Sequence, residues 1–281
     1  MENETTEKKV NKMPGSSDVT KTRPEKPKMP RGQKLFLGIG AIVLALLVSF
    51  IVYMANTPKF ENVLTGKANT PLPQLSTSVA KNEAEVEFVT TAGNITVKLF
   101  PKLAPKAVES FLTLSKDGYY KNNQFFRILA SSKTNIGIIQ SGSAKNSASV
   151  SKYVFGAPFK NEISPSLYNI YGSLSLANSG TAASNGSQFF FNTNKVDMST
   201  SLTTDNWPAK IIKAYKTGGN PSFDGSYTVF GQVISGLNVM DTIAKGKTTT
   251  VTDASTGTSE QSKPVKPVTI KEVKVLKDWK F

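Results

Sequence analysis

The chain has 281 residues, a formal net charge of +14 at pH 7, and neither cysteine nor histidine. These absences exclude disulfides, thiolate zinc sites, cysteine nucleophiles and every catalytic device that depends on imidazole. An enzyme of this composition has to work with carboxylates, hydroxyls, amides, Lys, Arg and binding energy. We therefore expect no metal site and no cofactor. The basic residues are scattered rather than clustered among aromatics, so nucleic-acid binding is not expected.

Residues 1–34 are polar and rich in Lys, Glu, Pro and Ser. They carry too few large apolar side chains to offset the conformational entropy lost on folding, which predicts a disordered basic tail.

An uncharged apolar run of 21 residues follows, from Leu35 to Ala55. A helix of this length, rising about 1.5 Å per residue, crosses a hydrocarbon core of about 30 Å. Arg31 and Lys34 flank its N-terminal side, so the positive-inside rule predicts a cytoplasmic N-terminus and an extracellular remainder. An uncleaved signal anchor fits better than a cleaved signal peptide, because the apolar run is long. In addition, Tyr53 occupies a position of the nearest candidate cleavage site, ending at Ala55, that requires a small residue. A buried core helix is a third alternative.

Residues 56–83 contain Thr, Ser, Pro and Lys with little periodicity and are predicted to be an extracellular linker. Residues 84–281 are the predicted folded domain. Alternation of apolar and polar residues on either side of Ala92-Gly93-Asn94 predicts a β-hairpin. A helix is predicted between Pro105, which suits a first turn, and Gly118, which suits a helix end.

Short strand candidates separated by Gly, Ser and Asn follow, and a second helix fits Leu237–Lys245. The strand candidates are Gln124–Leu129, Ile136–Gln140, Ser173–Ala177, Gln188–Asn192, Tyr227–Val233 and Val268–Leu276. Many short strands and two helices predict a mainly β fold, a closed antiparallel barrel with capping helices.

Six segments carry a resemblance to a known family. They are LAPKAVESFLTLSKDGYY, FFRI at Phe125–Ile128, IIQSGS at Ile138–Ser143, GSLSLANSG at Gly172–Gly180, NGSQFFF at Asn185–Phe191 and FDGSYTVFGQV at Phe223–Val233. In this order and spacing they resemble the cyclophilins, which are peptidyl-prolyl cis-trans isomerases. The resemblance spans about Glu85 to Lys277. It implies a closed eight-stranded antiparallel barrel capped by two helices, with a proline-binding groove on one outer face.

The resemblance also implies the residues of the site. The family's catalytic arginine falls on Arg127, and the aromatic floor of the proline pocket falls on Phe190, beside Ile138 in place of the usual methionine. The substrate-binding set implied by the family is Phe126, Ile138, Gln140, Ala177, Asn178, Gln188, Phe190, Phe223 and Tyr227.

The sequence departs from the family pattern at several pocket positions. Ile136-Gly137 stands where an aromatic residue often lines the pocket, Ser222-Phe223 where a tryptophan is usual, and Tyr227 where many relatives carry histidine. Residues 195–220 form an insertion, with a predicted helix near Pro208–Lys216 that is capped by Asp205 or Asn206. Its side chains Ile211, Ile212 and Tyr215 are predicted to dock on the domain.

The expected partners are Xaa-Pro segments of unfolded or exported polypeptides, together with the lipid bilayer through Leu35–Ala55. A monomer is expected, because Gly38 and Ile42 do not form a GxxxG pair. The leading interpretation is a folding catalyst at the outer face of a cell membrane, of a Gram-positive type. The alternatives are a non-catalytic scaffold or chaperone that binds proline segments and a basic wall-binding protein.

Overall fold

A computed structural model of the protein describes residues 70–130, 136–181, 183–252 and 259–281. The predicted tail, the predicted span at 35–55 and most of the predicted linker lie outside these ranges. None of the helices in the described ranges combines the length and the apolar character needed to cross a bilayer.

Ten strands and three α-helices make up the described part of the domain. The strands are β1 (Ala84–Thr90), β2 (Gly93–Leu99), β3 (Arg127–Leu129), β4 (Ile138–Ser141), β5 (Ser173–Leu176), β6 (Phe189–Asn192), β7 (Val229–Ser235), β8 (Thr248–Thr252), β9 (Ser259–Pro264) and β10 (Ile270–Lys277); the helices are α1 (Pro105–Lys116), α2 (Ala209–Tyr215) and α3 (Leu237–Ala244). Eight strands form one antiparallel sheet in the order β10-β1-β2-β7-β5-β6-β4-β3, while β8 and β9 form a separate hairpin.

The sheet is curled like a half-barrel rather than closed, which corrects the predicted closed barrel. Its edge strands β3 and β10 do not share a ladder in the described residues. Residues next to them make a single bridge, Gln124 to Thr269, beside a backbone bond from Phe125 N–H to the Val268 carbonyl at 2.9 Å. The contact stays short because β3 has only three residues and Pro267, before Val268, has no N–H to donate.

Interlocking aromatic rings fill the concave side of the sheet. Phe88 of β1 contacts Phe111 of α1 and both Phe189 and Phe191 of β6, with ring centroids 5.3–5.7 Å apart. Phe111 also contacts Phe230 of β7 at 5.3 Å. Such tilted and edge-to-face pairs are the favoured aromatic geometry. Because Phe189 and Phe191 face this core, strand alternation turns Phe190 to the convex side.

The two predicted capping helices are present as α1 and α3, and α2 in the insertion brings the number of described helices to three. Helix α1 begins at Pro105 and buries Val108, Phe111 and Leu112 in the main core. Its first turn lacks a capping side chain of its own. The carboxylate of Glu162 instead accepts hydrogen bonds from the N–H groups of Lys106 and Ala107 at 3.0 and 2.9 Å, where the helix dipole favours a negative charge.

Residues 70–83, the end of the predicted linker, pack against the domain as an N-terminal strap. Gln74 is buried; its amide nitrogen donates to the carbonyl of Tyr168 at 2.8 Å, and its oxygen accepts from the Tyr168 N–H at 2.6 Å. Lys98 of β2 is 1% exposed and donates to the carbonyls of Pro73 and Ser78.

The charge of Lys98 is held within this contact between strap and sheet. Burial lowers the pKa of Lys98, and the carboxylate of Glu83, 3.6 Å away, partly opposes that shift. A buried ammonium needs such partners, because an unpaired buried charge is strongly destabilising. The strap is therefore part of the folded unit.

Candidate functional site

Three predicted site residues lie in one row across the convex face of the sheet. Arg127 of β3 pairs with Gln140 of β4, which in turn pairs with Phe190 of β6. Residues directly opposite each other in neighbouring strands project from the same face and lie side by side. The curled sheet thus brings together residues that are up to 63 positions apart in sequence (190 − 127).

A chain of side-chain hydrogen bonds fixes the polar part of this row. Arg127 Nη1 donates to Gln140 Oε1 at 3.0 Å, and Gln140 Nε2 donates to Gln188 Oε1 at 2.9 Å. Gln188 Nε2 then donates to the carbonyls of Ala148 and Val150 at 2.9 and 3.0 Å. Each amide uses both ends, so Gln140 has one defined orientation and presents its oxygen to the guanidinium.

Aromatic side chains form the apolar part of the site. Phe190 meets Phe223 and Tyr227 edge-to-face at 5.8 and 5.3 Å, and the last two rings are 4.8 Å apart. The sequence predicts that Phe189 faces the core and Phe190 the groove; the core position of Phe189 is confirmed, and Phe190 lies on the opposite side of the strand. Phe190 is nevertheless only 2% exposed, because Phe223 and Tyr227 cover it, whereas an open groove position was expected.

The predicted wall residues Ala177 and Asn178 lie at the end of β5, partly exposed. The N–H of Ala177 donates to the Gln188 carbonyl at 2.9 Å. The amide of Asn178 donates to the carbonyl of Ser226 at 2.9 Å and accepts from the N–H of Gly180 at 3.0 Å. In this structure the Asn178 side chain holds the turn beside Tyr227 instead of projecting into open space.

Phe126 and Arg127 are partly exposed, between the core residues Phe125 and Ile128. This break in alternation places both predicted residues outside the core. Ile138 lies two positions before Gln140 on β4, so it faces the same side and extends the apolar surface, although it is 4% exposed.

Gly137, one of the positions that depart from the family pattern, packs directly against backbone. A Cβ placed on Gly137 would lie 2.5 Å from the backbone nitrogen of Asn194 and 2.7 Å from its Cα. The Thr193 N–H also donates to the Gly137 carbonyl at 2.8 Å, which fixes this close approach. No larger side chain fits here without a backbone shift.

We expect Gly137→Ala to destabilise the domain by about 2–4 kcal/mol, because backbone atoms of Asn194 cannot move aside as a flexible side chain would. Urea unfolding measures the change. Gly246→Ala is the matched control, since a Cβ there meets its nearest atoms at 3.1 Å. An equal cost for both variants would contradict the proposed close approach.

Asp224, the residue after Phe223, connects the insertion to the site by hydrogen bonds. Its carboxylate accepts from Trp207 Nε1 at 2.8 Å and from the Tyr215 hydroxyl at 2.6 Å, both in the insertion. Asn169 adds its backbone N–H at 2.7 Å and its side-chain amide at 3.1 Å. Burial raises the pKa of Asp224 to about 6, and these donors oppose the rise.

The predicted insertion helix is present as α2, and Ile211 and Tyr215 are fully buried as predicted, while Ile212 is only partly covered. The expected cap at Asp205 or Asn206 is absent from α2. The residue before this helix is Pro208, whose side chain makes no capping bond.

One residue that contacts Arg127 was not predicted from the sequence. Glu260, at the start of β9, accepts from Arg127 Nε at 2.8 Å and from Nη2 at 2.7 Å. Burial alone would raise the pKa of Glu260, but the hydrogen bonds and charge of Arg127 outweigh it and hold that pKa below its usual range. The Thr- and Val-rich run at Thr248–Thr252 was the available signal for the hairpin.

The arrangement places a guanidinium at the rim of an apolar aromatic cluster. Three of the five N–H groups of Arg127 are used by Gln140 and Glu260, which leaves two donors. Such a site suits a ligand with an apolar ring and a nearby hydrogen-bond acceptor. The residues described above as its walls supply no activated nucleophile, so the chemistry that the site supports is binding and polarisation.

Comparison with known proteins assigns the family. The sequence model of the family described as cyclophilin type peptidyl-prolyl cis-trans isomerase matches residues 85–275. A protein of Staphylococcus saprophyticus named as a peptidyl-prolyl cis-trans isomerase is 37% identical over 211 residues, covering 74% of this chain and 99% of that protein. A protein of the same name from Staphylococcus aureus is 38% identical over 207 residues, covering 72% and 97%.

Solved structures agree with the sequence comparisons. The crystal structure of a cyclophilin type peptidyl-prolyl cis-trans isomerase of Cryptosporidium parvum matches with a TM-score of 0.52 and 26% identity, over 70% of this chain and 99% of that one. A second structure of that protein, in the presence of the dipeptide Ala-Pro, matches with a TM-score of 0.51 and 27% identity, over 69% and 99%. The chain belongs to the cyclophilin-type peptidyl-prolyl cis-trans isomerases.

Proposed function

We propose that this isomerase is anchored in a cell membrane by residues 35–55 and acts outside the cell on Xaa-Pro bonds of exported polypeptides, with Arg127 as its catalytic residue. The observation that carries the catalytic part is the placement of Arg127 beside Gln140 and the Phe190 cluster.

The reaction needs no covalent step. Partial double-bond character gives the peptide bond a rotation barrier of about 18–20 kcal/mol. In the twisted amide the proline nitrogen regains a localised lone pair, which can accept a hydrogen bond that the planar amide cannot. A site that donates this bond stabilises the transition state more than either planar form, which is the condition for catalysis.

Each group of the site has a place in this proposal. The partly exposed rings of Phe223 and Tyr227, packed on the buried Phe190, hold the proline ring by apolar contact and partly exclude water. Arg127 donates to the proline nitrogen through one of its two remaining N–H groups, which its guanidinium holds in a rigid planar fork. Gln140, oriented by Gln188, holds the guanidinium at the rim. The altered aromatic positions are consistent with a ring-binding pocket of different shape from that of most relatives.

Sequence features support the anchor and its orientation. The run from Leu35 to Ala55 has no charged residue, and Arg31 and Lys34 lie on its N-terminal side. The S. saprophyticus relative is matched over 99% of its length by 74% of this chain, so about a quarter of this chain has no counterpart in it. That unmatched quarter leaves room for an anchor outside the shared domain.

A protease protection experiment tests the location. Protease added to intact cells is expected to digest the domain that follows residue 56 while leaving a short N-terminal fragment. In a matched variant, Arg31 and Lys34 are replaced by Glu, and we expect a smaller fraction of accessible domain because the charge bias that sets the orientation is weakened. Full protection of the wild-type domain in intact cells, with digestion after lysis, would contradict the proposed orientation.

A further inference from the structure

We propose that Glu260 is a positioning residue for Arg127, and that the hairpin β8–β9 serves to bring this carboxylate to the site. The inference rests on the proposed catalytic role of Arg127. It assigns a function to a segment that none of the sequence motifs includes.

The ion pair between these residues has bidentate geometry. Arg127 presents its Nε and Nη2 edge to the two oxygens of Glu260, at 2.8 and 2.7 Å. Two parallel charge-assisted bonds fix the plane of the guanidinium as well as its position. Gln140 alone would hold only Nη1, at 3.0 Å, and would leave the group free to rotate about that contact.

The remaining donors of Arg127 then have one defined direction. Glu260 accepts from the Nε–H group and from one N–H of Nη2, and Gln140 accepts from one N–H of Nη1. One N–H on Nη1 and one on Nη2 therefore remain as donors. The Arg127 side chain is 32% exposed, and an unrestrained arginine side chain has considerable rotamer entropy to lose. Holding it in advance lowers the entropy lost when the twisted amide forms.

Glu260 is itself supported by the hairpin. The hydroxyl of Ser262, two residues along β9, hydrogen-bonds to the Glu260 carboxylate. Ser262 is buried, and β9 lies beside β3, the strand that carries Arg127. At the base of the hairpin, the Val265 N–H donates to the Lys247 carbonyl at 2.8 Å. The carboxylate therefore comes from a strand fastened to the domain rather than from a free surface loop.

Activity measurements on the full chain test the proposal. We expect Glu260→Ala to lower kcat/KM for a peptide with one Ala-Pro bond by about 10-fold, through kcat, with little change in peptide affinity. The isosteric Glu260→Gln keeps one acceptor oxygen and should show a smaller loss. Glu272→Ala removes an exposed acidic residue from β10 and should leave the rate unchanged.

A double-mutant cycle separates positioning from a general structural role. In an Arg127→Ala background, Glu260→Ala should have no further effect, because the group that Glu260 positions is gone. The ¹⁵N-detected Nε–H signal of Arg127 adds a spectroscopic readout: it should be sharp in the wild type and broadened by exchange in Glu260→Ala.

The outcomes are distinguishable. Unchanged activity in Glu260→Ala overturns the inference, and so does an equal loss in both backgrounds. A rise in kcat also overturns it, because Glu260 would then restrain Arg127 rather than prepare it. If Arg127→Ala itself retains full activity, the proposed catalytic role of Arg127 is wrong, whatever the result for the Glu260 variants.

Discussion

Replacing Arg127 with alanine should lower kcat/KM for an Xaa-Pro peptide by about 10²–10³-fold, the usual loss when a donor to the transition state is removed. The peptide should bind with nearly unchanged affinity, because the planar amide does not accept this hydrogen bond. Exchange spectroscopy by NMR measures the isomerisation rate and the affinity in one titration.

Arg127→Lys is the control for this variant. It keeps the positive charge but cannot bond Gln140 and Glu260 at once with a planar fork, so we expect an activity between those of the wild type and alanine variants. If the wild-type chain binds the peptide but isomerises it no faster than Arg127→Ala, the alternative of a non-catalytic binding module is favoured.

Asp224→Asn should destabilise the domain, and its cost should be larger at pH 4.5 than at pH 7 by about 2 kcal/mol. The carboxylate receives four donors, and an amide in its place turns an NH₂ group towards some of them. A buried donor without an acceptor costs about 1–3 kcal/mol. Urea unfolding at both pH values measures the difference.

The direction of the pH effect follows from the raised pKa. Asp224 has a pKa of about 6 in the folded chain and about 3.9 when unfolded, so between these values the folded state binds more protons. Stability contributed by Asp224 is therefore fully present below about pH 4 and declines as the pH rises through 6. The amide of the Asp224→Asn variant does not titrate, so the difference between the two proteins shrinks towards neutral pH.

The other carboxylates are common to both proteins, so their contributions cancel in the comparison. Glu162→Gln, at the start of α1, is a control that removes a different carboxylate without touching the insertion. If the stability lost in Asp224→Asn instead increased towards pH 7, the four donors would outweigh burial and lower the pKa of Asp224.

Much of the fold could be predicted because local patterns agree with the tertiary structure. The eight strands of the main sheet and both capping helices fall on the predicted segments, since the alternation of apolar residues matches burial on one face. Whether the sheet closes into a barrel could not be predicted from strand patterns. It depends on whether residues near Gln124 and Thr269, which are distant in sequence, form a ladder or a single bridge.

The site was predictable to the extent that motifs place residues on strands. Arg127, Gln140 and Phe190 share a row because the strand registers bring them together. The Glu260 contact depends on the docking of an additional hairpin, whose polar sequence has little periodicity to reveal its partner. Similarly, Asp224 lies within one of the family motifs, but its role as an acceptor depends on where Trp207 and Tyr215 dock.

The contacts between Lys98 and the N-terminal strap bear on where a shortened chain can begin and still fold. A chain shortened to Ala84 would keep the whole sheet but lose Glu83 and the carbonyls of Pro73 and Ser78, leaving the Lys98 ammonium buried without these acceptors. Gln74, which bonds both backbone groups of Tyr168, would be lost as well. The contacts that hold the domain together therefore begin earlier in the sequence than the family motifs do, and a boundary drawn at the first motif would cut through them.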